Sequence, residues 1–312
     1  MNSKFDLSII VPLLNEEDNV VKLHKEILET LSKTDWEFEI IFVNDGSSDK
    51  TLENCLSLKP LKIIDFRKNF GQTACLDAGI KEAKGEIIIT MDGDLQNDPK
   101  DIPALVKKLK KDKLDVVSGW RKNRKDPFGK RWISRGAEVL RKFLINDGIH
   151  DSGCTLKAYR RECFSRINLM GEIHRFIPAT LAISGYKIGE MEVNHRPRIH
   201  GQTKYNYKRT IKGFLDMLGV WFWMKYAGRP LHLFGGMGLL CFSLGSFGLI
   251  GLFVARLFFE FPLSNKIWPI IAIFLILVGL QLFISGLMAD VLIKSYYKDK
   301  NMNYSIKEII ES

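Results

Sequence analysis

Two stretches of this chain contain no charged residue, Leu233 to Ala255 and Ile267 to Ala289. A helix needs about 20 consecutive apolar residues to cross about 30 Å of hydrocarbon, and each stretch meets that length. Both are apolar on every side, whereas a surface helix keeps a polar face. Two membrane spans are therefore expected; a buried core hairpin is the soluble alternative. The segment before them reads as a soluble head, and 312 residues suit one large domain or two small ones. Met1 to Asp6 is polar, and the apolar stretch after it is too short for a signal-peptide core, so none is expected there.

Charge orients the spans. The chain carries a net +10. Lys225 and Arg229 precede the first span, and Lys294, Lys298 and Lys300 follow the second. The connection from Arg256 to Lys266 holds only these two cations and Glu260. The positive-inside rule then puts the head and both termini in the cytoplasm and the connection outside, with Arg256 snorkelling to the outer interface. Gly235, Gly236, Gly238, Gly245, Gly248 and Gly251 give the first span a face for close helix packing. Upstream, Tyr207 to Tyr226 places Ile211, Phe214, Leu215, Leu218 and Trp221 at helical spacing between cations. That predicts a helix lying in the membrane interface; a core helix of the head is the alternative. The expected organisation is a catalytic head over 1–205, an amphipathic helix over 206–230, two spans over 231–295 and a cytoplasmic tail over 296–312. Cys55, Cys75, Cys154, Cys163 and Cys241 are odd in number, scattered and without metal-type spacing, which suits reduced thiols in a cytosolic head.

Within the head, apolar runs alternate with helical patterns. Leu7–Pro12, Glu37–Val43, Lys62–Asp65, Ile87–Met91 and Val116–Gly119 read as strands. Helical spacing follows Asn19, and Ile102 to Lys111 reads as a basic-faced helix. The alternation predicts an α/β fold with a mainly parallel sheet and helices on both faces. Three strands end in acid-bearing turns: Asn15-Glu16-Glu17, Asn44-Asp45-Gly46 and Asp92-Gly93-Asp94. A parallel sheet gathers those ends on one rim, where such folds place ligands. Each turn could equally cap its helix, worth about 1 kcal/mol, and the roles are compatible. The last turn is the most specific. Asp92 and Asp94, with Gln96 beyond, close a β-branched strand, and clustered carboxylate and amide oxygens suit a hard cation such as magnesium with ligand phosphates. Neither a Walker loop nor G-x-G-x-x-G occurs, so a dinucleotide fold is disfavoured.

After the fifth strand the chain turns basic, with Arg121, Lys122, Arg124, Lys125, Lys130, Arg131, Arg135 and Arg141. Beside a membrane, such a cluster suits anionic lipid or a substrate phosphate; a solvated loop is the plain alternative. Nucleic acid is disfavoured, because the spans already account for cations near lipid. His150 and Asp151 are adjacent, and on a strand they would face opposite ways. His174 reads as a structural or surface histidine rather than as a ligand.

The motifs VPLLNEE, VNDGSSDKT, NFGQ, MDGDLQNDP and the R-x-x-G-x-T-K run from Arg198 to Lys204 together resemble those of family-2 glycosyltransferases with the nucleotide-sugar-binding GT-A fold. Within that family the chain is similar to the polyprenyl-phosphate group, which includes dolichol-phosphate mannose synthase and bacterial undecaprenyl-phosphate sugar transferases. The resemblance implies that Pro12, Leu14, Glu16, Val43 and Asp45 line the base and ribose pocket and that Asp92 and Gly93 touch the nucleotide. It implies that Asp94 and Gln96, beside Asp92, hold Mg2+ or Mn2+ on the donor diphosphate. Arg121, Arg131 and Arg135 would meet the acceptor phosphate, and Arg198 and Lys204 the donor. Asp94, Arg121 and Asp151 would carry catalysis, Asp151 by positioning the acceptor or steadying charge at the anomeric carbon. Thr203 stands where many members have Ser, and Lys130-Arg131-Trp132 lacks the Gln of the polymer-forming Q-x-x-R-W. The implied reaction is inverting transfer from a nucleotide-sugar, UDP preferred, to a membrane polyprenyl phosphate. A homo-oligomer is compatible with this. The alternatives are transfer to a lipid or protein hydroxyl, or a non-catalytic membrane-anchored nucleotide-sugar scaffold.

Overall fold

The computed structural model describes residues 5–122, 148–165, 169, 173–197, 218–219, 221–222, 225–226, 229–260, 262–263 and 266–298. They fall into two compact units, Met1–Val220 and Trp221–Ser312. Arg131, Arg135, Arg198 and Lys204 lie outside the described residues, as does most of the expected interfacial helix.

The first unit is built on a seven-stranded sheet. Its strands are β1 (Phe5–Leu13), β2 (Phe38–Asn44), β3 (Lys62–Asp65), β4 (Gly85–Thr90), β5 (Val116–Trp120), β6 (Lys157–Arg160) and β7 (Ile188–Glu192). The order is β3-β2-β1-β4-β6-β5-β7, and β6 alone runs antiparallel to its neighbours. The expected mainly parallel sheet is present, with one inverted strand wedged between β4 and β5.

Strand periodicity sorts the core into two layers. Leu7, Ile9, Val11 and Leu13 of β1 face one layer, with Ile40, Phe42, Ile87 and Ile89. Helices α1 (Val20–Leu31) and α4 (Ile102–Lys111) close it through Val20, Leu23, Ile27 and Leu31 and through Leu105, Val106 and Leu109. Ile10, Ile41, Val43 and Ile88 face the other layer. Helices α3 (Gln72–Glu82) and α5 (Ile177–Ile183) close that one, while the short α2 (Thr51–Leu56) adds Cys55 to the first. Among the described residues helices cover both faces of the sheet, and the strand ends are where such folds place ligands.

The second unit is a helical hairpin, α6 (Pro230–Phe259) and α7 (Trp268–Lys298). Both helices are long and apolar enough to cross a membrane and expose most of their apolar side chains, unlike core helices. Arg256 donates to the Glu260 carbonyl at the left-handed end of α6, where the chain turns. The glycine face is real but narrower than expected. A Cβ on Gly238 would lie 2.7 Å from the Gly279 carbonyl, and one on Gly279 would lie 2.5 Å from the Phe242 amide. Gly245 abuts Ala272 in the same way, whereas Gly236 and Gly251 face open space. Backbone-to-backbone approach of this kind replaces the hydrophobic effect, which is absent between helices in lipid. Gly279→Leu should therefore lower the thermal midpoint in detergent, by an overpacking cost of about 1–3 kcal/mol. Gly251→Leu should leave it unchanged, and equal effects from the two would refute the packing assignment.

Candidate active site

The parallel strands β1, β2, β3 and β4 end side by side, with Leu13 opposite Asn44 and Asn44 opposite Asp65. Their turns are tied to one another by hydrogen bonds. The Ser48 amide donates to Asn15 Oδ1 at 2.9 Å and the Glu16 amide to Thr51 Oγ1 at 2.8 Å. Lys50 donates its amide to Glu17 Oε2 at 2.9 Å. Asn44 Nδ2 reaches Asp65 Oδ1 at 2.7 Å. The Asp45 carboxylate receives the amides of Phe70 at 2.7 Å and Gly71 at 3.0 Å. Gln72 Nε2, at the start of α3, donates to Asp92 Oδ1 at 2.8 Å. Gly93 sits where a Cβ would meet Leu13 Cδ2 at 2.6 Å, so the fourth turn packs directly on the first. The three acid-bearing turns thus form one rim.

Asp92 and Asp94 sit at its centre. Burial first, then the neighbouring Asp94 charge, raise the Asp92 carboxyl above its ordinary value, against a hydrogen bond from Thr155 and the charges of Arg121 and Lys157. Two carboxylates this close repel, and a divalent cation relieves that repulsion. Asp94 is 6 % exposed and its Oδ1 accepts the Gln96 amide at 3.1 Å. Leu95 between them is left-handed, φ 61°, and 1 % exposed. For a bulky side chain that conformation costs roughly 1–3 kcal/mol and persists only where its surroundings enforce it. Among the described residues no three His, Cys, Asp or Glu side chains cluster as a closed cage. Two carboxylates and an amide instead fit a cation that keeps most of its shell for water and phosphate, as magnesium and manganese do.

Arg121 leaves β5 beside this loop and is held by Asp151. Arg121 Nε reaches Asp151 Oδ2 at 2.7 Å and its NH2 nitrogen reaches Oδ1 at 3.0 Å. The side chains are 12 % and 14 % exposed. Burial would lower the guanidinium pKa, but the bonds to Asp151 outweigh it and raise it. Lys157 of β6 is 2 % exposed and donates to the Ser152 carbonyl at 3.2 Å. Burial pushes its ammonium down to about 8, against the charges of Asp151 and Asp92.

The structure brings together Pro12, Glu16, Asp45, Asp92, Gly93, Asp94, Gln96, Arg121 and Asp151 through these strand ends and contacts. Leu14 stands exposed on the same rim. The Val43 side chain, at the end of β2, is fully buried against α3. The adjacent His150 takes a separate role, bonding Glu190 at 2.7 Å and stacking on Trp120. His174 is buried, with Nδ1 3.0 Å from Thr73 Oγ1. Gln72 and Lys157, both close to Asp92, carry no mark in the sequence that pairs them with it. The NFGQ motif displays Gln72 but not its partner, and a lysine in a four-residue strand carries no signal for burial.

The sequence model of the family described as Glycosyl transferase family 2 matches residues 8–167. The chain is 40% identical to the dodecaprenyl-phosphate galacturonate synthase of Rhizobium johnstonii, covering 98% of this chain and 93% of that one. This chain is a family-2 glycosyltransferase. It is also 30% identical to an undecaprenyl-phosphate 4-deoxy-4-formamido-L-arabinose transferase of Pseudomonas paraeruginosa, over 93% and 86% of the two chains. The fold of the glycosyltransferase matches glucosyl-3-phosphoglycerate synthase of Mycobacterium tuberculosis, with a TM-score of 0.56 at 16% identity over 70% of this chain and 80% of that one. That structure contains Mn2+, UDP and glucosyl-3-phosphoglycerate. The match establishes the GT-A fold, and the two long apolar helices lie beyond the residues that the family model covers.

Proposed function

We propose that this glycosyltransferase moves a sugar from a nucleoside diphosphate, preferably UDP, to a membrane polyprenyl phosphate, with inversion at the anomeric carbon. Two relatives with near full-length similarity are named for transfers to polyprenyl phosphates. The observation that carries the choice of acceptor is Asp151. Both its oxygens are engaged by the Arg121 guanidinium, which leaves it poorly placed to take a proton. A hydroxyl acceptor needs a general base. A phosphate, with a second pKa of about 6, is already largely ionised near neutrality and does not.

Asp94 and Gln96, with Asp92 alongside, would hold Mg2+ or Mn2+ on the donor diphosphate. The metal would supply stabilisation of the charge that builds on the departing diphosphate. Gln72 fixes the Asp92 rotamer, and Asp151 orients Arg121 towards the anionic groups. Arg131 and Arg135 are proposed for the acceptor phosphate, and Arg198 and Lys204 for the donor. Pro12, Leu14, Glu16, Val43 and Asp45 would frame the nucleoside.

The test is to incubate membranes containing the enzyme with labelled nucleotide-sugars and polyprenyl phosphate, then analyse the lipid product. The expected product is an acid-labile polyprenyl-monophosphate sugar of inverted configuration, lost on chelation and restored by Mg2+ or Mn2+. An acid-stable glycoside, with an acidic limb in the rate profile, would favour a hydroxyl acceptor. Nucleotide-sugar binding without any product would favour a scaffold.

The head and both termini are proposed to be cytoplasmic, from the cation asymmetry around the spans. A cysteine at position 264 should react with an impermeant maleimide on intact cells, and one at position 3 should not. The background in the head is low: Cys55, Cys75, Cys154 and Cys163 are buried, and burial pushes their thiols up to about 11 or 12. Thiols so protonated react slowly. The reverse labelling pattern would overturn the orientation.

A further inference from the structure

The chain leaving β7 crosses back over the loop that carries Asp94 and Gln96. The Arg196 amide donates to the Gln96 carbonyl at 2.9 Å, and Asn97 forms an antiparallel bridge with His195. Asn194 donates both its amide and its side chain to Asp101, at 2.7 and 2.9 Å. The Arg196 guanidinium completes the crossing. Its NH2 nitrogen reaches Asp98 Oδ1 at 2.6 Å, its Nε reaches Asp98 Oδ2 at 3.2 Å, and its NH1 nitrogen reaches Glu26 Oε2 of α1 at 2.6 Å. Asp98 in turn caps the helical turn at Pro99–Asp101 through the Lys100 amide. Three elements otherwise separate in sequence, α1, the loop after β4 and the exit of β7, therefore meet on one side chain.

We propose that Arg196 is a positioning residue: it latches the β7 exit onto residues 96–98 and so enforces the left-handed Leu95 turn that sets Asp94 and Gln96 on the same cation. The inference rests on the metal-dependent reading of the rim. The Leu95 turn needs external support, because its backbone conformation is intrinsically unfavourable. The Asp94–Gln96 bond is local and moves with the turn. Bonds from outside the loop act instead on its far end, at the Gln96 carbonyl and the Asp98 carboxylate. A planar guanidinium can hold a carboxylate bidentately and still reach a second acid, which an ammonium cannot do in that geometry. Groups that orient metal ligands without touching the metal typically change metal affinity by about 10–100-fold when removed.

The experiment compares wild type, Arg196→Gln, Arg196→Lys and Glu26→Gln. Mn2+ binding is measured by electron paramagnetic resonance with UDP present, alongside the half-activating Mn2+ concentration, kcat at saturating Mn2+ and thermal unfolding. Arg196→Gln should weaken Mn2+ binding about 10-fold, while kcat at saturating Mn2+ falls much less. Arg196→Lys should be intermediate. Glu26→Gln, which keeps the Asp98 fork, should weaken Mn2+ binding less than Arg196→Gln does and stands in should Arg196→Gln not fold. Wild-type Mn2+ affinity in the Arg196→Gln and Glu26→Gln variants overturns the latch. A lower unfolding temperature and kcat with unmoved Mn2+ affinity also overturns it, since that is a merely structural contact. A wild-type enzyme indifferent to chelation removes both the metal reading and the latch, and is seen without any variant.

Discussion

Asp94→Ala is expected to lower sugar transfer roughly 10³-fold while the head stays folded. Asp94 stands at the end of a buried strand beside a second carboxylate whose pKa it helps to raise. Removing it relieves repulsion rather than exposing an unpaired charge. The folding cost includes the bond from the Gln96 amide, on the order of 0.5–1.5 kcal/mol. Asp94→Asn separates the two roles: its amide oxygen can still accept from Gln96 but carries no charge for a cation. It should therefore lose activity nearly as far as alanine with a smaller drop in unfolding temperature. The measurement is kcat with saturating Mg2+ and Mn2+, with thermal unfolding of the same preparations. Activity above a tenth of wild type in either variant would sink the ligand assignment.

What the sequence made legible was whatever depends on local pattern. LSIIVP, EFEIIFV and EIIIT show their strands because alternate residues fill two core layers, and the acid-bearing turns follow at once in the chain. Their convergence also followed, since parallel strands leave no other arrangement. The two spans were visible because lipid demands apolarity on every side. What escaped was non-local pairing. The strand KAYR has too few residues to declare its direction. It runs antiparallel to both β4 and β5, and enclosure between them buries Lys157. VNDGSSDKT marks the end of β2 but not which layer the Val43 side chain joins; it packs in the layer opposite Phe42. His150 and Asp151 are adjacent but part company, one to Glu190 and the other to Arg121, thirty positions earlier in the chain. Glycine counts likewise overstated the helix contact, because only the residues on one face of α6 meet α7.

Breaking the Arg121–Asp151 pair is expected to be the second large effect, and its pattern discriminates between roles for Asp151. The pair is bidentate and mostly shielded from water. Asp151→Ala leaves the guanidinium without its partner beside Lys157, and breaking a buried pair in this way costs about 3–5 kcal/mol when burial is complete. The residual exposure reduces that figure, so about 2 kcal/mol of stability is the expected loss. Arg121 then loses its fixed orientation, and kcat should fall roughly 10²-fold, the scale of one misplaced electrostatic contact. Asp151→Asn keeps one acceptor for Arg121 and should recover part of both losses. Arg121→Lys preserves charge but not the fork, so it should resemble Asp151→Ala in rate. If Asp151 instead removed a proton from the acceptor, the wild-type rate would fall at low pH with its titration, and Asp151→Asn would abolish that limb along with activity. For an orienting carboxylate locked to arginine, Asp151→Asn lowers kcat without changing the shape of the pH profile. The decisive data are pH–rate profiles of wild type and Asp151→Asn with saturating donor and acceptor. An acidic limb present in the first and missing in the second would assign Asp151 as a base, and with it reopen a hydroxyl acceptor.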